Sequence, residues 1–355
     1  MSSARTPGDR KRATLKEVAR EVGVSICTAS VVLNGSSSGS RISSTTRHAV
    51  ISAAQRLGYR SSLDSDPVLN HVRSHTIGLI PAATDSNILL GPHLQYVLNG
   101  IVNEAEKSHF DLSLITRCDQ SHPIDLLEAL IAGKMEGVVV VAPRPDSRLL
   151  PLLREKSLPM VVIDGDPAHC DNNFVINNYQ AVKVAIAHLV ELGHTRIGYI
   201  AGPQDHFAAR ARKDAFFEVM TMFGLSVNLE WVQVGPFTFR SGIDGTHRIL
   251  RSKTPPTAIF CANDEIAFGA MATLQEMGLK VPTDISVVGF DNVLLASHSH
   301  PPLTTVRHPI TEISQAAASS LIRYIESETR IESMTFPGEL ITRRSTAPPP
   351  AERTS

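Results

Sequence analysis

The stretch TLKEVAREVGVSICTASVVLN, which runs from Thr14 to Asn34, decides how the front of this chain folds. Its first apolar residues recur at positions i, i+3, i+4 and i+7, which places them on one face of a helix: Leu15, Val18, Ala19 and Val22. Gly23 ends that helix, and Ser25 is placed to cap a second, shorter one that ends at Asn34. The stretch therefore predicts two short helices joined by a tight turn.

A third helix is predicted beyond a serine- and glycine-rich loop, residues 36–40. The same apolar stripe returns there, and Gly58 closes the helix: Val50, Ala53, Ala54 and Leu57. Residues 1–62 hold ten Lys and Arg against three Asp and Glu, a charge of +7, whereas the whole chain has −1 and the remainder therefore −8. A basic head on a mildly acidic body indicates that only the head meets a polyanion.

The three helices fit a helix-turn-helix DNA-binding domain over residues 1–62. Such a domain needs a small residue on its first helix, a glycine in the turn and a short second helix that fits the major groove. Ala19, Gly23 and the helix from Ser25 meet these needs. Three polar residues of the second helix can hydrogen-bond phosphates: Thr28, Ser30 and Asn34. The alternative is a structural cap that binds no nucleic acid, but the spacing together with the charge favours DNA binding.

After a linker over residues 63–76, short β-branched runs alternate with amphipathic helical stretches. The predicted strands are Ile77–Ile80, Leu112–Thr116, Gly137–Val141, Met160–Ile163, Arg196–Ile200, Thr257–Cys261 and Ile285–Val288. The predicted helices are Leu94–His109, Ala181–Leu192, Ala209–Phe223, Ile266–Met277 and Ile310–Glu326. This alternation predicts an α/β body, residues 77–346, with parallel sheets covered by helices on both faces. Its length favours two similar lobes, and the proline-rich tail, residues 347–355, is expected to be disordered.

Composition limits the possible functions. Hydrophobic residues make up 42% and charged residues 19%, and no run reaches the roughly 18 apolar residues of a membrane span. No apolar stretch follows the basic N-terminus, so no secretory signal is predicted and the expected location is the cytoplasm. The cysteines are scattered, which predicts reduced thiols and no zinc site: Cys27, Cys118, Cys170 and Cys261. We expect no cofactor and no bound metal.

Two short patterns resemble reactive sites but lack the required context. Gly35-Ser-Ser-Ser-Gly39 satisfies the G-x-S-x-G pattern of hydrolases, but that pattern needs a strand before it, and here a helix precedes it. His298-Ser-His300 has metal-like spacing, but the sequence offers no third ligand, and the adjacent prolines indicate a surface loop.

The chain resembles the lactose-repressor/galactose-repressor (LacI/GalR) family in a series of motifs that follow the family's order. They are TLKEVAREVGVS (Thr14–Ser25), TASVVLN (Thr28–Asn34), LGY (Leu57–Tyr59), IGLI (Ile77–Ile80), HLVELGH (His188–His194), RIGYIAGP (Arg196–Pro203), ANDE (Ala262–Glu265), SVVGFD (Ser286–Asp291), PPLTTVR (Pro301–Arg307) and STAP (Ser345–Pro348). The resemblance implies a non-enzymatic, dimeric regulator, a repressor, that docks on two half-sites of double-stranded operator DNA. It also implies a small-molecule effector, a sugar or nucleoside-type metabolite.

The resemblance further implies a periplasmic-binding-protein-like body with two lobes joined by three crossings, and an effector bound between the lobes. The crossings are expected near Val175–Asn178, Thr305–Pro309 and Glu328–Ser333. This gives an N-lobe of about residues 77–176 and 307–329 and a C-lobe of about residues 177–306 and 330–346. The effector would shift the angle between the lobes and hence the spacing of the heads.

The family's effector-contacting positions fall on five residues. Arg212 stands four residues before an aromatic, Phe216, as the family's ligand-contacting arginine does. Phe237 matches the aromatic that stacks on the ligand. Three residues match polar groups that fix ligand hydroxyls or ring nitrogens: Asn263, Asp291 and, as a weaker match, Asp164. The alternatives are a surface salt bridge for Arg212 and ordinary core packing for Phe237.

The family's base-contacting positions fall on Ile26, Cys27 and Val31, none of which can make bidentate hydrogen bonds to bases. Contacts with thymine methyls and groove shape would then carry the sequence readout, unless the protein simply has modest specificity. Thr14, Ser25 and the three phosphate-binding candidates complete the DNA-contacting set. A hinge helix begun by Asp66-Pro67 would insert Leu69, or else Val68, into the minor groove.

Two other functions remain open on the sequence. A transport-type binding protein would share the body but would carry a signal peptide and no basic head. A sugar- or nucleoside-converting enzyme would need paired carboxylates or a positioned base, whereas the candidate cleft residues are typical of ligand binding.

Overall fold

The computed structural model describes residues 13–34, 42–57, 74–81, 91–115 and 123–351. It separates the chain into two compact units, Met1–Arg73 and Ser74–Ser355. Several predictions lie outside the described residues: the loop that follows Asn34, the hinge helix with Leu69, Cys118 and the Asn34 side chain.

The first unit contains the three predicted helices, α1 (Leu15–Val22), α2 (Ile26–Asn34) and α3 (Ser44–Leu57). Thr14 and Glu17 form a reciprocal capping box at the start of α1, and Gly23 ends α1 with a φ of 73°, a left-handed conformation suited to glycine. The Ser25 hydroxyl accepts the Thr28 backbone N–H at 3.0 Å, as expected for the cap of α2. One small core holds the three helices together: Val18, Ala19, Ala29, Val32, Val50, Ala53 and Ala54.

The second unit begins with a six-stranded sheet. Its first five strands are β1 (Thr76–Pro81), β2 (Asp111–Leu114), β3 (Gly137–Val141), β4 (Met160–Ile163) and β5 (Asn173–Ile176). The helices between them are α4 (Pro92–Lys107), α5 (Pro123–Ala132) and α6 (Leu149–Glu155). A late strand, β11 (Met334–Phe336), completes the order β11-β5-β4-β3-β1-β2, and all of these pairings are parallel.

The second sheet is built from β6 (Ile197–Ala201), β7 (Val232–Val234), β8 (Ala258–Cys261), β9 (Ser286–Asp291), β10 (Thr304–Arg307) and β12 (Glu339–Ile341). Its helices are α7 (Asn178–Glu191), α8 (Phe207–Met222), α9 (Phe239–Ile249) and α10 (Asp264–Glu276), while α11 (Ile310–Ser327) returns to the first lobe. The strand order is β12-β10-β9-β8-β6-β7, and β12 pairs antiparallel with β10.

Successive residues of β3 show that the first sheet is covered on both faces. Val139 and Val141 belong to the core formed with α4 and α11, whereas Val138 and Val140 pack in a separate cluster with α5 and α6. Alternation of this kind follows from the two-residue period of a strand. The predicted α/β architecture with parallel sheets is confirmed. Among the described residues, no helix is both long and apolar enough to cross a membrane.

The chain passes between the lobes at three places. The first passage follows β5 and the second follows β10, while the third joins β11 to β12 through Pro337 and Gly338. The prediction of a third crossing near Glu328–Ser333 is wrong, because Met334–Phe336 still pairs with β5 in the first sheet. Gly338 is required at this crossing, since a Cβ there would lie 2.7 Å from the Ala181 Cβ. The first lobe therefore extends to residue 336 rather than 329.

The start of the C-terminal tail is ordered against the second lobe. The Ala347 N–H donates to the Ser286 hydroxyl at 3.0 Å, and the Ala347 carbonyl oxygen lies 2.9 Å from His194 Nε2. His188 Nε2 lies 2.9 Å from the Thr346 hydroxyl. The prediction that the tail is disordered from residue 347 is wrong at that position, because buried polar groups of the lobe bind its backbone.

Candidate functional site

The second helix of the head, α2, divides its residues between core and surface. Ala29 and Val32 are buried, Ile26 is 49% exposed, and Cys27 is also exposed. Val31 is half-buried. The outer side of this helix therefore presents an apolar and a thiol side chain.

The predicted phosphate contacts have structural roles as well. The Ser25 and Thr28 hydroxyls lie 2.8 Å apart within the cap of α2, and the Thr14 hydroxyl donates to Glu17 at 2.9 Å. Thr14 and Ser25 are exposed, while Thr28 and Ser30 are half-buried. Leu69 and the Asn34 side chain lie outside the described residues, so their predicted contacts remain predictions.

The five predicted effector residues lie at or beyond the carboxyl ends of parallel strands. Asp164 directly follows β4 in the first lobe, and Asp291 is the last residue of β9 in the second. Asn263 comes two residues after β8, Phe237 follows β7, and Arg212 lies on α8, which follows β6. Ligands of such folds bind at this edge of a sheet. The topology thus places all five predicted residues at or beyond the carboxyl edges of the two sheets.

Arg212 is only 4% exposed, which rules out the alternative of a surface salt bridge. Its Nε donates to Asn178 Oδ1 at 3.1 Å, and its Nη1 donates to the Ala262 carbonyl at 2.8 Å. Its guanidinium carbon lies 3.7 Å from the centre of the Phe290 ring and 6.0 Å from that of Phe237. These contacts fix a planar cation in a buried position.

Asn263 and Phe237 lie side by side. Asn263 Oδ1 accepts the Ile266 N–H at 2.9 Å, which caps α10, and its Nδ2 reaches the Phe237 carbonyl at 3.5 Å. The Phe237 ring is half-buried, and a Cβ at Gly202 would lie 2.3 Å from it. Gly202 therefore leaves the space that the Phe237 ring occupies.

His308 lies between Asp164 and Asp291, and His93 lies beside Asp164; neither histidine is among the predicted site residues. Asp164 Oδ2 lies 3.2 Å from His93 Nε2, and Asp164 Oδ1 lies 3.8 Å from His308 Nε2. The other ring nitrogen of His308, Nδ1, lies 3.7 Å from Asp291 Oδ1. His308 follows β10 just as Asp291 ends β9, so the strand-end rule would have found it once β10 was recognised. Nothing in the sequence marks His93.

The backbone is strained at both carboxylates. Asp164 has a φ of 54° and Asp291 a φ of 112°, in the positive region that residues other than glycine rarely adopt. Such conformations persist where the surrounding structure holds them, and they concentrate at binding sites.

The charges of this region shift one another's pKa values. Burial acts to raise the pKa of Asp164, but His308, His93 and Arg212 outweigh it, so the pKa is lowered. Burial acts to lower the pKa of His93, but the hydrogen bond and charge of Asp164 outweigh it, so that pKa is raised. Burial and then the charge of Asp291 raise the pKa of the nearby Asp264 well above its usual value. These surroundings therefore favour the ionised, negative form of Asp164.

A separate open groove of about 360 Å³ lies beside the first crossing. Asn177, Tyr179 and Asp214 line it, together with Asn178, which binds Arg212. None of the five predicted effector residues lines this groove.

Two family models match the chain. Residues 14–62 match the model described as bacterial regulatory proteins, lacI family. Residues 186–346 match the model of a periplasmic binding protein-like domain.

Known proteins resemble the chain over nearly its whole length. The HTH-type transcriptional repressor PurR of Proteus mirabilis (strain HI4320) is 32% identical over 347 residues, which cover 95% of this chain and 98% of the relative. A solved complex of the transcriptional regulator CelR with cellobiose is 29% identical, with a TM-score of 0.71, and covers 94% of this chain and 100% of its own. A Lac repressor dimer bound to operator and the anti-inducer ONPF is 26% identical, with a TM-score of 0.72, and covers 95% and 100% respectively.

Proposed function

The chain belongs to the lacI family of bacterial regulatory proteins. From this membership we propose that its head binds operator DNA and that a cleft between its two lobes binds the effector that controls this binding. It is a DNA-binding transcription repressor rather than an enzyme. As in the operator-bound Lac repressor dimer, two copies bind operator DNA. A transport-type binding protein is ruled out by the matched DNA-binding domain and by full-length repressor relatives.

The effector binds between the two lobes at the residues that surround Arg212. The observation that carries this assignment is the buried Arg212 guanidinium over the Phe290 ring, 3.7 Å from its centre. A cation held in this way at the strand ends has a fixed direction for hydrogen bonding and a low local dielectric, both of which strengthen ligand recognition. Phe237, Asn263, Asp291 and Asp164 complete the proposed set.

The effector belongs to the class of sugars and nucleoside-type metabolites. Hydroxyl groups or ring nitrogens of such a ligand suit the carboxylates at Asp164 and Asp291, and a flat face suits the Phe237 ring. A structural relative, the transcriptional regulator CelR, is solved as a complex with cellobiose, which supports a sugar as the effector.

The head reads operator DNA with α2. Ile26, Cys27 and Val31 face base edges, with apolar contacts to thymine methyls, while Thr14, Ser25, Thr28, Ser30 and Asn34 contact the phosphates. Leu69 enters the minor groove and bends the duplex. The protein acts in the cytoplasm, on the chromosome.

One experiment tests both halves of the proposal. The full-length protein is titrated onto DNA fragments that flank its own gene, with and without a panel of sugars and nucleobases, and retardation is measured at two salt concentrations. We expect salt-sensitive binding to one fragment, since phosphate contacts release counterions, and a change in affinity with one metabolite. Absence of salt-sensitive binding to every fragment would contradict the DNA-binding half. Retardation that no metabolite alters would contradict the effector half.

A further inference from the structure

Three side chains in the cleft form a compact set of donor atoms. His93 lies on α4, Asp164 directly follows β4, and His308 directly follows β10. One ligand atom from each residue lies within 4.8 Å of those from the other two. Among the residues that the structure describes, this is the one group of three or more such side chains with that geometry. We propose that these three residues bind one divalent first-row transition cation, of which Zn²⁺ is the probe.

The donor separations fit the size of such an ion. Asp164 Oδ2 and His93 Nε2 are 3.2 Å apart, and Asp164 Oδ1 and His308 Nε2 are 3.8 Å apart. A tetrahedral zinc ion with bonds of about 2.0–2.1 Å holds its ligands roughly 3.3 Å from one another. Small side-chain adjustments therefore bring three donors to bonding distance.

The chemistry of the donors selects the metal. Imidazole nitrogen suits zinc and the neighbouring transition metals, whereas calcium and magnesium prefer sites made of oxygen. Two histidines and one carboxylate leave a fourth position for water or for an atom of the effector. The His93 side chain is 34% exposed, so the ion can enter from its side.

Buried atoms without partners are the second, independent observation. The His308 side chain is 1% exposed and that of Asp164 is 4% exposed. Asp164 Oδ1 and both ring nitrogens of His308 have no hydrogen-bond partner. A buried polar atom that lacks a partner is destabilising, and a metal ion bound by Asp164 Oδ1 and His308 Nε2 gives both atoms a partner. The ion would thus be the missing partner of Asp164 Oδ1 and His308 Nε2.

Asp291 lies next to the ring nitrogen of His308 that does not face the proposed ion. Its Oδ1 lies 3.7 Å from His308 Nδ1, on the opposite side of the ring from Asp164. Histidines that bind metal with one nitrogen usually donate the N–H of the other to a carboxylate, which fixes the tautomer and the ring orientation. The 3.7 Å separation is slightly longer than a hydrogen bond, so Asp291 is placed to become the positioning residue of His308 once an ion holds the ring.

Zinc binding is tested on the full-length protein, stripped of metal with a chelator and free of DNA. Calorimetric titration with Zn²⁺ measures stoichiometry and affinity, and the visible spectrum of added Co²⁺ reports on coordination geometry. We expect one ion per chain. D291N should weaken zinc binding about 10- to 100-fold, and H93Q and H308Q, which each remove a ligand, should weaken it more than D291N does. The matched control is the H298Q/H300Q double variant, which removes the histidine pair with metal-like spacing at the surface.

The outcomes separate clearly. Unchanged affinity in the control together with loss in H93Q supports the site, and H93Q alone decides the matter if H308Q does not fold. Three results would overturn the proposed site. They are a wild-type protein that binds no zinc, an H93Q variant with unchanged zinc affinity, and a control variant that loses zinc binding. The inference concerns the same cleft as the proposed function, but the titration contains neither operator nor effector. A failed titration therefore leaves the repressor assignment intact, and a failed retardation assay leaves the metal site intact.

Discussion

The Arg212 guanidinium carbon lies 3.7 Å from the centre of the Phe290 ring, and both residues are buried. A cation over an aromatic face is attracted by the ring's quadrupole, and the attraction is larger where water is excluded. Arg212 is also held by Asn178 and the Ala262 carbonyl, so its orientation is fixed before any ligand arrives.

Replacing Arg212 by Lys should abolish most of the effector response and leave operator affinity unchanged without effector. Lysine keeps the charge but loses the planar group that stacks on Phe290, so ligand hydrogen bonds lose their direction. Effector affinity should fall at least about tenfold, equivalent to about 1.4 kcal/mol. Effector affinity is measured from the retardation of operator DNA by the protein at increasing concentrations of the metabolite. R210K is the matched control, because Arg210 is half-buried on the same helix. Equal effector affinity in R212K and wild type would remove Arg212 from the site.

Replacing Gly202 by Ala should weaken effector binding by displacing the Phe237 ring. The added Cβ would lie 2.3 Å from that ring, so one of the two must move. Comparison with F237A and with the double variant provides the control, since two changes that act through one ring are not additive. Effector affinity measured by calorimetry should drop to a similar level in all three. Additive losses would show that Gly202 acts elsewhere.

Replacing Ile26 by Ser should weaken operator binding without changing stability. Ile26 is 49% exposed, so little apolar packing is lost, while each contact with a thymine methyl contributes about 0.8 kcal/mol. We expect a loss of about 1 kcal/mol in operator affinity, measured by fluorescence anisotropy. I51S is the matched control, because Ile51 is 39% exposed on α3. The interpretation fails if I51S weakens binding as much as I26S.

Replacing Asp264 by Asn should change how stability depends on pH. Burial, then the charge of Asp291, raises the pKa of Asp264 well above its usual value in the folded protein. The folded state therefore holds this proton more tightly than the unfolded state, and its contribution to stability is present at low pH and decreases as pH rises from about 4 through the raised pKa. The free energy of unfolding of the wild type should fall relative to D264N over this range, by at most about 1.4 kcal/mol per pH unit. Urea titrations at several pH values measure it, and parallel profiles would contradict the shift.

Deleting residues 347–355 should destabilise the second lobe. The deletion removes the Ala347 groups that bind Ser286 and His194, and so leaves buried polar groups unpaired. We expect a loss of about 1–3 kcal/mol. Deleting only residues 352–355 is the control and should leave the thermal midpoint unchanged. Equal midpoints in both deletions would mean that the ordered tail contributes nothing.

The sequence predicts elements well where the signal is local. The head was predicted because the cap at Ser25, the turn at Gly23 and the apolar stripe lie within a few residues of one another. The long helices and buried strands of the body were likewise recognised from their period. Strands β5, β7, β10, β11 and β12 were missed, because runs of only three or four residues carry little readable period. Helices α5, α6 and α9 were also missed.

The candidate cleft was only partly predictable for a different reason. The strand-end residues follow from topology, and Arg212 followed from the family resemblance. The contact of Asp164 with His93 and His308 joins three distant segments, and no local pattern encodes such a contact. The third crossing was misplaced for the same reason, since only pairing with β5 assigns Met334–Phe336 to the first sheet.

The short connection through Pro337 and Gly338 restricts how the two lobes can move. Phe336 and Glu339 belong to different sheets but are separated by only three Cα–Cα steps, or at most about 11 Å of chain. The end of β11 and the start of β12 therefore stay close together whenever the lobes move. The connection through Pro337 and Gly338 thus acts as a fulcrum. Displacement grows with distance from a fulcrum, so the parts of the lobes farthest from residue 337 travel most when a ligand enters or leaves.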